Sequence, residues 1–302
     1  MRAGPLCFRA AWVYGRGMNG LSSTLRDATD ALTPVSATPR LDAELLMAHA
    51  LGIDRSAMLL RMHDLAVPAG FAAMLARRAA DEPVAYITGM QAFWDLDLHV
   101  TPDVLIPRAD SETVIEVAMA AFAGRGAPAR ILDLGTGSGA LLLAALSVFS
   151  GAEGVGIDAS AAALAVASGN AARLGLDTRA TFERRDWTLG GWADGLGQFD
   201  LILCNPPYIE DATPLADMVA RHEPHSALFA GPDGLRDYRI LLKTLKKLLK
   251  TTGIAVFEIG FNQSKSVAKL GTEAGFTSEL THDLSGNPRV LRFSLGIAQP
   301  NR

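Results

Sequence analysis

The pattern of apolar and polar positions divides the chain into two parts of different character. From residue 21 to residue 82 apolar residues recur at helical spacing, and no strand-like alternation appears. Pro39 and Gly52 mark the start and the end of one helix, and Pro68 opens another. This stretch predicts a small helical module that carries no residues suggestive of chemistry.

A second pattern covers residues 83–107, where β-favouring residues alternate, as in Tyr86–Thr88. We interpret it as a β-hairpin linker between the two parts. Asp110 or Ser111 is then placed to cap a helix that runs from Glu112 to Phe122.

Beyond Pro128 short apolar runs and helical patterns follow one another. The predicted strands are 130–134, 154–157, 181–183, 200–204, 254–259, 276–280 and 289–295. The predicted helices between them are 140–149, 161–174, 235–249 and 263–274. Repeated strand–helix units are typical of a parallel sheet covered by helices on both faces, so this part is an α/β domain.

Composition narrows the class of protein. The chain has 302 residues, of which 49% are hydrophobic and 20% charged, with a net charge of −4. These values exclude a disordered or fibrous chain, and they argue against a nucleic-acid coat protein. The two cysteines form no metal or disulfide spacing, which indicates a reducing, cytoplasmic compartment and no metal site. No apolar run is long enough to span a bilayer.

The first twenty residues contain three arginines and no acid. They lack the apolar core of a secretory signal, so we expect a disordered extension over 1–20, with Met18 as an alternative start.

A glycine-rich segment, Asp133 to Gly139, follows the first strand of the α/β part. Glycines there let a ligand approach the backbone, and the following helix offers free N–H groups. Asp158 ends the next strand, where a carboxylate can accept hydrogen bonds from ribose hydroxyls. The segment fits the dinucleotide fingerprint as well as a nucleoside cofactor of another kind, so NAD(P) has to be considered.

Asp133 favours S-adenosylmethionine over NAD(P). A carboxylate before the first glycine would repel a pyrophosphate, whereas it suits a cofactor with an ammonium group and a sulfonium. Asp186 and Trp187 follow the third strand, where an acid can receive the adenine amino group and an indole can cover the ring. The predicted cofactor residues are Asp133, Gly135, Thr136, Gly137, Ser138, Gly139, Asp158, Asp186, Trp187 and Asn205.

The fourth strand ends in Asn205-Pro206-Pro207-Tyr208, the most specific feature of the chain. The Asn205 side-chain oxygen and the Pro206 carbonyl can together accept both hydrogens of one –NH2 group, and Tyr208 offers a flat face. The predicted acceptor is therefore a planar nitrogen on adenine, guanine or a carboxamide. We assign Asn205, Pro206 and Tyr208 to catalysis, and all four residues to substrate binding.

Most of the chain resembles the HemK/PrmC family, methyltransferases that modify a glutamine side chain in peptide chain release factors. The similarity extends from about Arg40 to Leu295. It rests on Leu41-Asp-Ala-Glu-Leu-Leu46, Pro83-Val-Ala-Tyr-Ile87, Phe93-Trp94, Leu105-Ile-Pro-Arg108 with Glu112, the loop from Asp133 to Gly139, Asp158, Asp186-Trp187, Asn205 to Tyr208, and Glu223-Pro224. Two segments depart from the family pattern, Ala109-Asp-Ser-Glu112 and Pro288, and both affect loop detail only.

The resemblance implies a class I S-adenosylmethionine methyltransferase with a Rossmann-like seven-stranded sheet and a small N-terminal helical bundle. It implies a docking domain over 21–82, a hairpin linker over 83–107 and a methyltransferase domain over 108–298. It also implies that the protein methylates the glutamine of the Gly-Gly-Gln motif. We further predict that Arg108 and Glu112 line the site entrance and bind substrate, the alternative being a surface ion pair or a charge at the helix N-terminus. A monomer without stable nucleic-acid or membrane binding is expected.

Two other classes stay open at this point: an amino methyltransferase acting on DNA or RNA, and an NAD(P)-dependent oxidoreductase or silent nucleotide-binding module.

Overall fold

The computed structural model describes residues 20–296, which form two compact units. One unit ends at Val84 and the other begins at Ala85. The predicted N-terminal extension and the alternative start at Met18 lie outside the described residues, except for Gly20.

The first unit is helical, as its apolar spacing predicts. Its helices are α1 (Leu21–Leu32), α2 (Pro39–Leu51), α3 (Arg55–Leu60) and α4 (Phe71–Ala79). Gly52 ends α2 with a φ of 68°, a conformation that glycine adopts without strain. Pro68 precedes the helix that it was predicted to open, and α4 itself begins at Phe71.

Two buried carboxylates hold the first unit together. Asp42 accepts hydrogen bonds from Arg78 Nε at 2.7 Å and from the Ser36 hydroxyl at 2.7 Å. Glu44 lies between Arg40 and Arg55, whose Nε atoms donate to it at 2.8 and 2.7 Å. The acidic positions of the 41–46 motif are therefore structural.

The second unit contains a hairpin and a seven-stranded sheet. The hairpin pairs β1 (Met90–Phe93) with β2 (Leu96–His99). The strands of the sheet are β3 (Arg130–Leu134), β4 (Glu153–Asp158), β5 (Ala180–Arg184), β6 (Phe199–Cys204), β7 (Leu249–Glu258), β8 (Phe276–His282) and β9 (Pro288–Leu295).

The sheet order is β5-β4-β3-β6-β7-β9-β8. Strand β9 runs antiparallel to its neighbours β7 and β8, and the other neighbouring pairs are parallel. The chain moves outward from β3 to one edge and then returns to β6 at its side. This reversal is a topological switch point, where ligands of open α/β sheets bind beyond the carboxyl ends of the strands.

Helices cover both faces of this sheet. They are α6 (Glu112–Phe122), α7 (Ala140–Val148), α8 (Ala161–Arg173), α9 (Asp217–His222), α10 (Arg236–Leu248) and α11 (Ser264–Glu273). One apolar cluster contains the buried leucines of α7, and a second contains those of α10. Because central strands bury both faces, these clusters fix the sheet from either side.

Two local predictions are wrong. Residues Val84–Thr88 form a short helix, α5, in which the buried Tyr86 hydroxyl donates to the Val104 carbonyl at 2.7 Å. Ser111 does not cap α6 with its side chain. The last strand in the chain, β9, runs antiparallel to β7, so the predicted seven-stranded sheet is mostly parallel.

The hairpin is fastened to the second unit by reciprocal hydrogen bonds. His99 N donates to Asn170 Oδ1 at 2.7 Å, and Asn170 Nδ2 donates back to the His99 carbonyl at 2.9 Å. The structure thus places the segment that we interpret as a linker within the second unit.

A long loop leaves β6 and is closed at its base. Ile209 N donates to the Leu228 carbonyl at 2.9 Å, and Ala230 N donates to the Ile209 carbonyl at 2.8 Å. Residues 210–228, including α9, therefore form a loop whose two ends are paired with each other.

No helix within residues 20–296 has both the length and the apolar character needed to cross a membrane.

Candidate functional site

A cleft of about 580 Å³ lies at the carboxyl ends of the central strands of the second unit. It is bordered by most of the residues predicted to hold a cofactor. These are Asp133, Gly135, Thr136, Gly137, Ser138, Asp158, Asp186, Trp187 and Asn205. Pro207 and Arg108 also line it.

The glycine-rich loop is held against β4 by backbone hydrogen bonds. The N–H groups of Gly135 and Thr136 both donate to the Ile157 carbonyl at 2.9 Å. Gly135 has a φ of 76°, and a Cβ there would come within 3.0 Å of the Trp187 ring. Gly139 begins α7 and packs against Leu143 instead of lining the cleft.

Asp133 is buried at the end of β3 with one oxygen unpaired. Its Oδ2 accepts a hydrogen bond from the Thr136 hydroxyl at 2.7 Å, whereas Oδ1 makes none with the described residues. Burial raises the pKa of Asp133 to about 7, although Thr136 and the Leu142 amide favour the ionised form. A buried carboxylate oxygen without a donor fits a cationic ligand.

Asp158 holds the loop and still faces the cleft. Its Oδ2 accepts from Gly137 N at 3.0 Å, and its Oδ1 accepts from Ser160 N at 2.9 Å. A carboxylate has about four acceptor sites, so both oxygens keep capacity for ribose hydroxyls. Burial raises the pKa of this carboxyl group.

Trp187 is anchored by a residue that the sequence did not single out. Its Nε1 donates to Oδ1 of the buried Asp237 at 2.7 Å, and Arg236 forms an ion pair with the same carboxylate at 3.0 Å. Asp186 accepts from the Thr188 hydroxyl at 2.6 Å, which lowers the pKa of that carboxyl group.

The predicted acceptor residues divide into two sets. Asn205 and Pro207 line the cleft, whereas Pro206 is buried and Tyr208 half-buried, and neither is among the described lining residues. The Tyr208 hydroxyl donates to Glu258 Oε1 at 3.4 Å, and burial raises its pKa. Tyr208 is therefore tied to the strand beside it.

Ser111 and Glu258 are further site residues that sequence reasoning missed. Ser111 lines the cleft, and its hydroxyl donates to Glu258 Oε2 at 2.5 Å. Asn205 Nδ2 donates to Ser111 Oγ at 3.2 Å. Glu258 is buried at the end of β7, which raises its pKa to about 7. The only local signal in the sequence was that Glu258 is an acidic residue at the end of an apolar strand.

Arg108 and Glu112 have different surroundings. Arg108 lines the cleft and pairs with the buried Glu223 at 2.5 Å. Glu112 is not among the residues that line the cleft, and its Oε1 accepts a hydrogen bond from Trp94 N at 2.8 Å. This bond fixes the hairpin turn, where Trp94 has a φ of 57°. Glu112 therefore has a structural role, which is to hold the hairpin turn.

The sheet order with one antiparallel strand, the glycine-rich loop after β3 and the acid at the end of β4 define a class I methyltransferase that uses S-adenosylmethionine. Asp133, with its unpaired buried oxygen, fits the positive charge of this cofactor.

Two family models match the chain: the PrmC N-terminal domain over residues 23–89 and a methyltransferase domain over 127–278. Three relatives are each named release factor glutamine methyltransferase. The protein from Rhodospirillum rubrum is 44% identical over 84% of this chain and 78% of its own. Those from Caulobacter vibrioides and Agrobacterium fabrum are 41% and 38% identical, over 87% and 85% of this chain and 90% and 91% of theirs.

The chain belongs to the family of release factor glutamine methyltransferases.

Proposed function

We propose that this protein transfers a methyl group from S-adenosylmethionine to the side-chain amide nitrogen of the glutamine in the Gly-Gly-Gln motif of peptide chain release factors. The observation that carries the proposal is the position of Asn205, at the end of β6 in the cleft, in a chain that matches both the N-terminal and the catalytic family models.

The cofactor is assigned to the part of the cleft between β3 and β5. Asp133 Oδ1 offers a negative charge to the ammonium group, Asp158 accepts from the ribose, and Trp187 covers the adenine with Asp186 at its edge. When bound, S-adenosylmethionine supplies an electrophilic methyl group on a cationic sulfur. We assign Gly135 to the close approach of the backbone.

The acceptor amide is assigned to the turn after β6. Asn205 Oδ1 accepts no hydrogen bond from the described residues, so it can receive one N–H of the glutamine. The Pro206 carbonyl receives the other. Holding both N–H bonds orients the nitrogen and raises its electron density, and positioning then supplies much of the rate. The nitrogen gains a methyl group and releases one proton to water.

The domain assignment belongs to the same proposal. We assign residues 21–82 to docking of the release factor, residues 83–107 to a linker and residues 108–298 to catalysis. We place the activity in the cytoplasm, where translation terminates, and propose a monomer without stable nucleic-acid binding. The net charge of −4 supports a protein acceptor over a nucleic-acid acceptor.

The test uses methyl-labelled S-adenosylmethionine with purified unmethylated release factor, with its Gln→Ala variant at the Gly-Gly-Gln motif, and with DNA and RNA. We expect label on the wild-type factor alone. Label on nucleic acid but not on the factor would identify an amino methyltransferase of nucleic acids and overturn the proposal.

Within the enzyme, Asn205→Ala tests the acceptor turn. We expect methylation to fall by at least about a hundredfold, since one preorganised polar contact at the reacting group is lost. Gln198→Ala is the matched control: Gln198 is exposed and directly precedes β6, at the opposite end from Asn205, and the variant should keep full activity. Full activity in Asn205→Ala would exclude the proposed acceptor turn.

A further inference from the structure

We propose that Ser111 and Glu258 are positioning residues that fix which end of the Asn205 side-chain amide faces the methyl acceptor. The inference rests on the proposed function, because it concerns how the acceptor turn is held.

The contacts form a short chain with a defined direction. Ser111 has one hydroxyl proton, which it donates to Glu258 Oε2. Ser111 Oγ can then only accept from its next neighbour, and it does accept from Asn205 Nδ2 at 3.2 Å. An amide that turns its nitrogen toward Ser111 turns its oxygen away. Asn205 Oδ1 is therefore the atom that the cleft offers to a donor.

This series of hydrogen bonds starts at Glu258, because a carboxylate only accepts hydrogen bonds. Both of its oxygens are used, Oε2 by Ser111 and Oε1 by the Tyr208 hydroxyl. From the neighbouring strand, Glu258 thus holds two residues of the acceptor turn: Tyr208 directly, and Asn205 through Ser111. Ser111 and Glu258 are both buried, so water is a poor substitute for either partner.

A protonated Glu258 has the opposite effect. A carboxylic acid can donate to Ser111 Oγ, and the Ser111 hydroxyl is then free to donate to Asn205 Oδ1. The amide would turn over and present two N–H groups to the N–H groups of the acceptor. Methylation should therefore fall as Glu258 takes up a proton.

Charged and titratable groups from several elements surround this carboxyl group. Arg289 on β9 favours its ionised form, whereas Asp110 before α6 favours the protonated one. Among the described residues, Tyr208, Tyr238 and Cys204 also interact with this carboxyl group. Burial is the largest influence and raises the pKa of Glu258 to about 7.

The experiment measures kcat and KM for release factor from pH 5.5 to 9 at saturating S-adenosylmethionine, for the full-length protein. In wild type we expect kcat to fall as pH drops below about 7. Glu258→Gln cannot titrate, so its kcat should be lower and its acidic fall absent. An acidic fall that persists unchanged in Glu258→Gln would overturn the inference.

Ser111→Ala tests the middle of the chain. We expect kcat to fall roughly 10- to 100-fold, since the amide is no longer held in one orientation, with the Kd of S-adenosylmethionine unchanged. Because Ser111 acts through Asn205, the double variant Ser111→Ala, Asn205→Ala should be no slower than Asn205→Ala alone. Additive losses, or a wild-type kcat in Ser111→Ala, would contradict a positioning role.

Tyr238→Phe is the matched control. The Tyr238 hydroxyl donates to the backbone carbonyl of Glu258 at 2.8 Å, so its loss disturbs the same residue without changing the carboxylate. The control should lower Tm and keep the wild-type pH profile. Absence of release-factor methylation by wild type would refute the proposed function itself, whereas normal wild-type activity with an unaffected Ser111→Ala would refute only this inference.

Discussion

The Trp187 indole and the Asp237 carboxylate, fifty positions apart in the chain, are joined by a 2.7 Å hydrogen bond at the wall of the cleft. Asp237 is buried and paired with Arg236, so it holds the indole from a rigid helix. The Trp187 ring lies 3.0 Å from the position that a Cβ on Gly135 would take, directly beside the loop. The aromatic wall and the glycine-rich loop therefore form one connected surface.

Trp187→Phe removes this hydrogen bond and part of the ring. We expect the Kd of S-adenosylmethionine to rise about tenfold, which corresponds to ~1.4 kcal/mol, as measured by calorimetric titration. Trp192→Phe is the control, because Trp192 is a buried core residue. It should lower Tm while the Kd stays within about twofold of wild type. Equal Kd changes in the two variants would refute a direct contact between Trp187 and the cofactor.

Asp133→Asn should separate stability from cofactor binding. The pKa of Asp133 is raised from 3.8 to about 7 in the folded protein. Between pH 3.8 and about 7 the folded state therefore keeps the proton on Asp133, whereas the unfolded chain has released it. Stability therefore declines as pH rises through the window, and above it the ionised carboxylate costs up to ~4 kcal/mol. The variant should be more stable than wild type at pH 8, with the gain vanishing near pH 4.

The same variant should bind S-adenosylmethionine weakly at every pH. In wild type the Kd should rise as pH falls below about 7, by at most about tenfold per pH unit, because the neutral acid attracts no cation. Denaturant unfolding and calorimetry check both parts. Asp186→Asn is the control, with the opposite expected effect on stability. The fold lowers the pKa of Asp186, so removing this carboxylate should reduce the free energy of unfolding at pH 8.

Alanine at Gly135 and at Gly137 should have unequal effects. Both positions have positive φ, 76° and 54°, so each substitution carries backbone strain of ~1–2 kcal/mol. A Cβ at Gly135 also meets Trp187 at 3.0 Å, whereas nothing lies within 4 Å of one at Gly137. Gly135→Ala should therefore weaken S-adenosylmethionine binding more. An equal loss of affinity in both variants would exclude displacement of the indole as the cause.

The first unit depends on the buried pair of Asp42 and Arg78. Arg78→Ala leaves the Asp42 carboxylate buried without its cation, and we expect a loss of ~3–5 kcal/mol in urea unfolding of the full chain. Arg77→Ala is the adjacent control: its partner Glu82 is more accessible, and the expected loss is below ~1 kcal/mol. Similar losses would mean that the Asp42 pair contributes no more than a surface one.

The sheet could be predicted from the sequence because each strand–helix unit has a recognisable local pattern of apolar and polar residues. The Arg130–Leu134 strand followed by a glycine-rich turn needs no distant partner to be recognised. The short helix α5 could not be predicted, because the β-branched and aromatic residues of Val84–Thr88 favour a strand. A single helical turn is also too short to show a helical periodicity. The direction of β9 is decided by pairing with β7, which local pattern does not encode.

The site follows the same division. Asp133 and Asp158 end strands, so the open-sheet rule places them together. Ser111 and Glu258 meet across 147 positions of chain. Ser111 lies in the segment Ala109-Asp-Ser-Glu112, a variant of the family pattern, but nothing in that segment indicates Glu258 as its partner. The side chain of each makes two hydrogen bonds to groups from other elements, and its part in the site depends on them. Such a relationship exists only once the chain has folded.

The paired base of the loop after β6 has a consequence for engineering the enzyme. Ile209 and Ala230 close the loop by backbone hydrogen bonds, and the side chains of Asp211 and Glu223 bond from within it to the Gly231 amide and to Arg108. The half-buried and exposed residues 212–221 between these two acids are therefore the part of the loop that can be exchanged without disturbing its base. Replacing them offers a route to new methyl acceptors while Asn205 and the cofactor residues keep their supports.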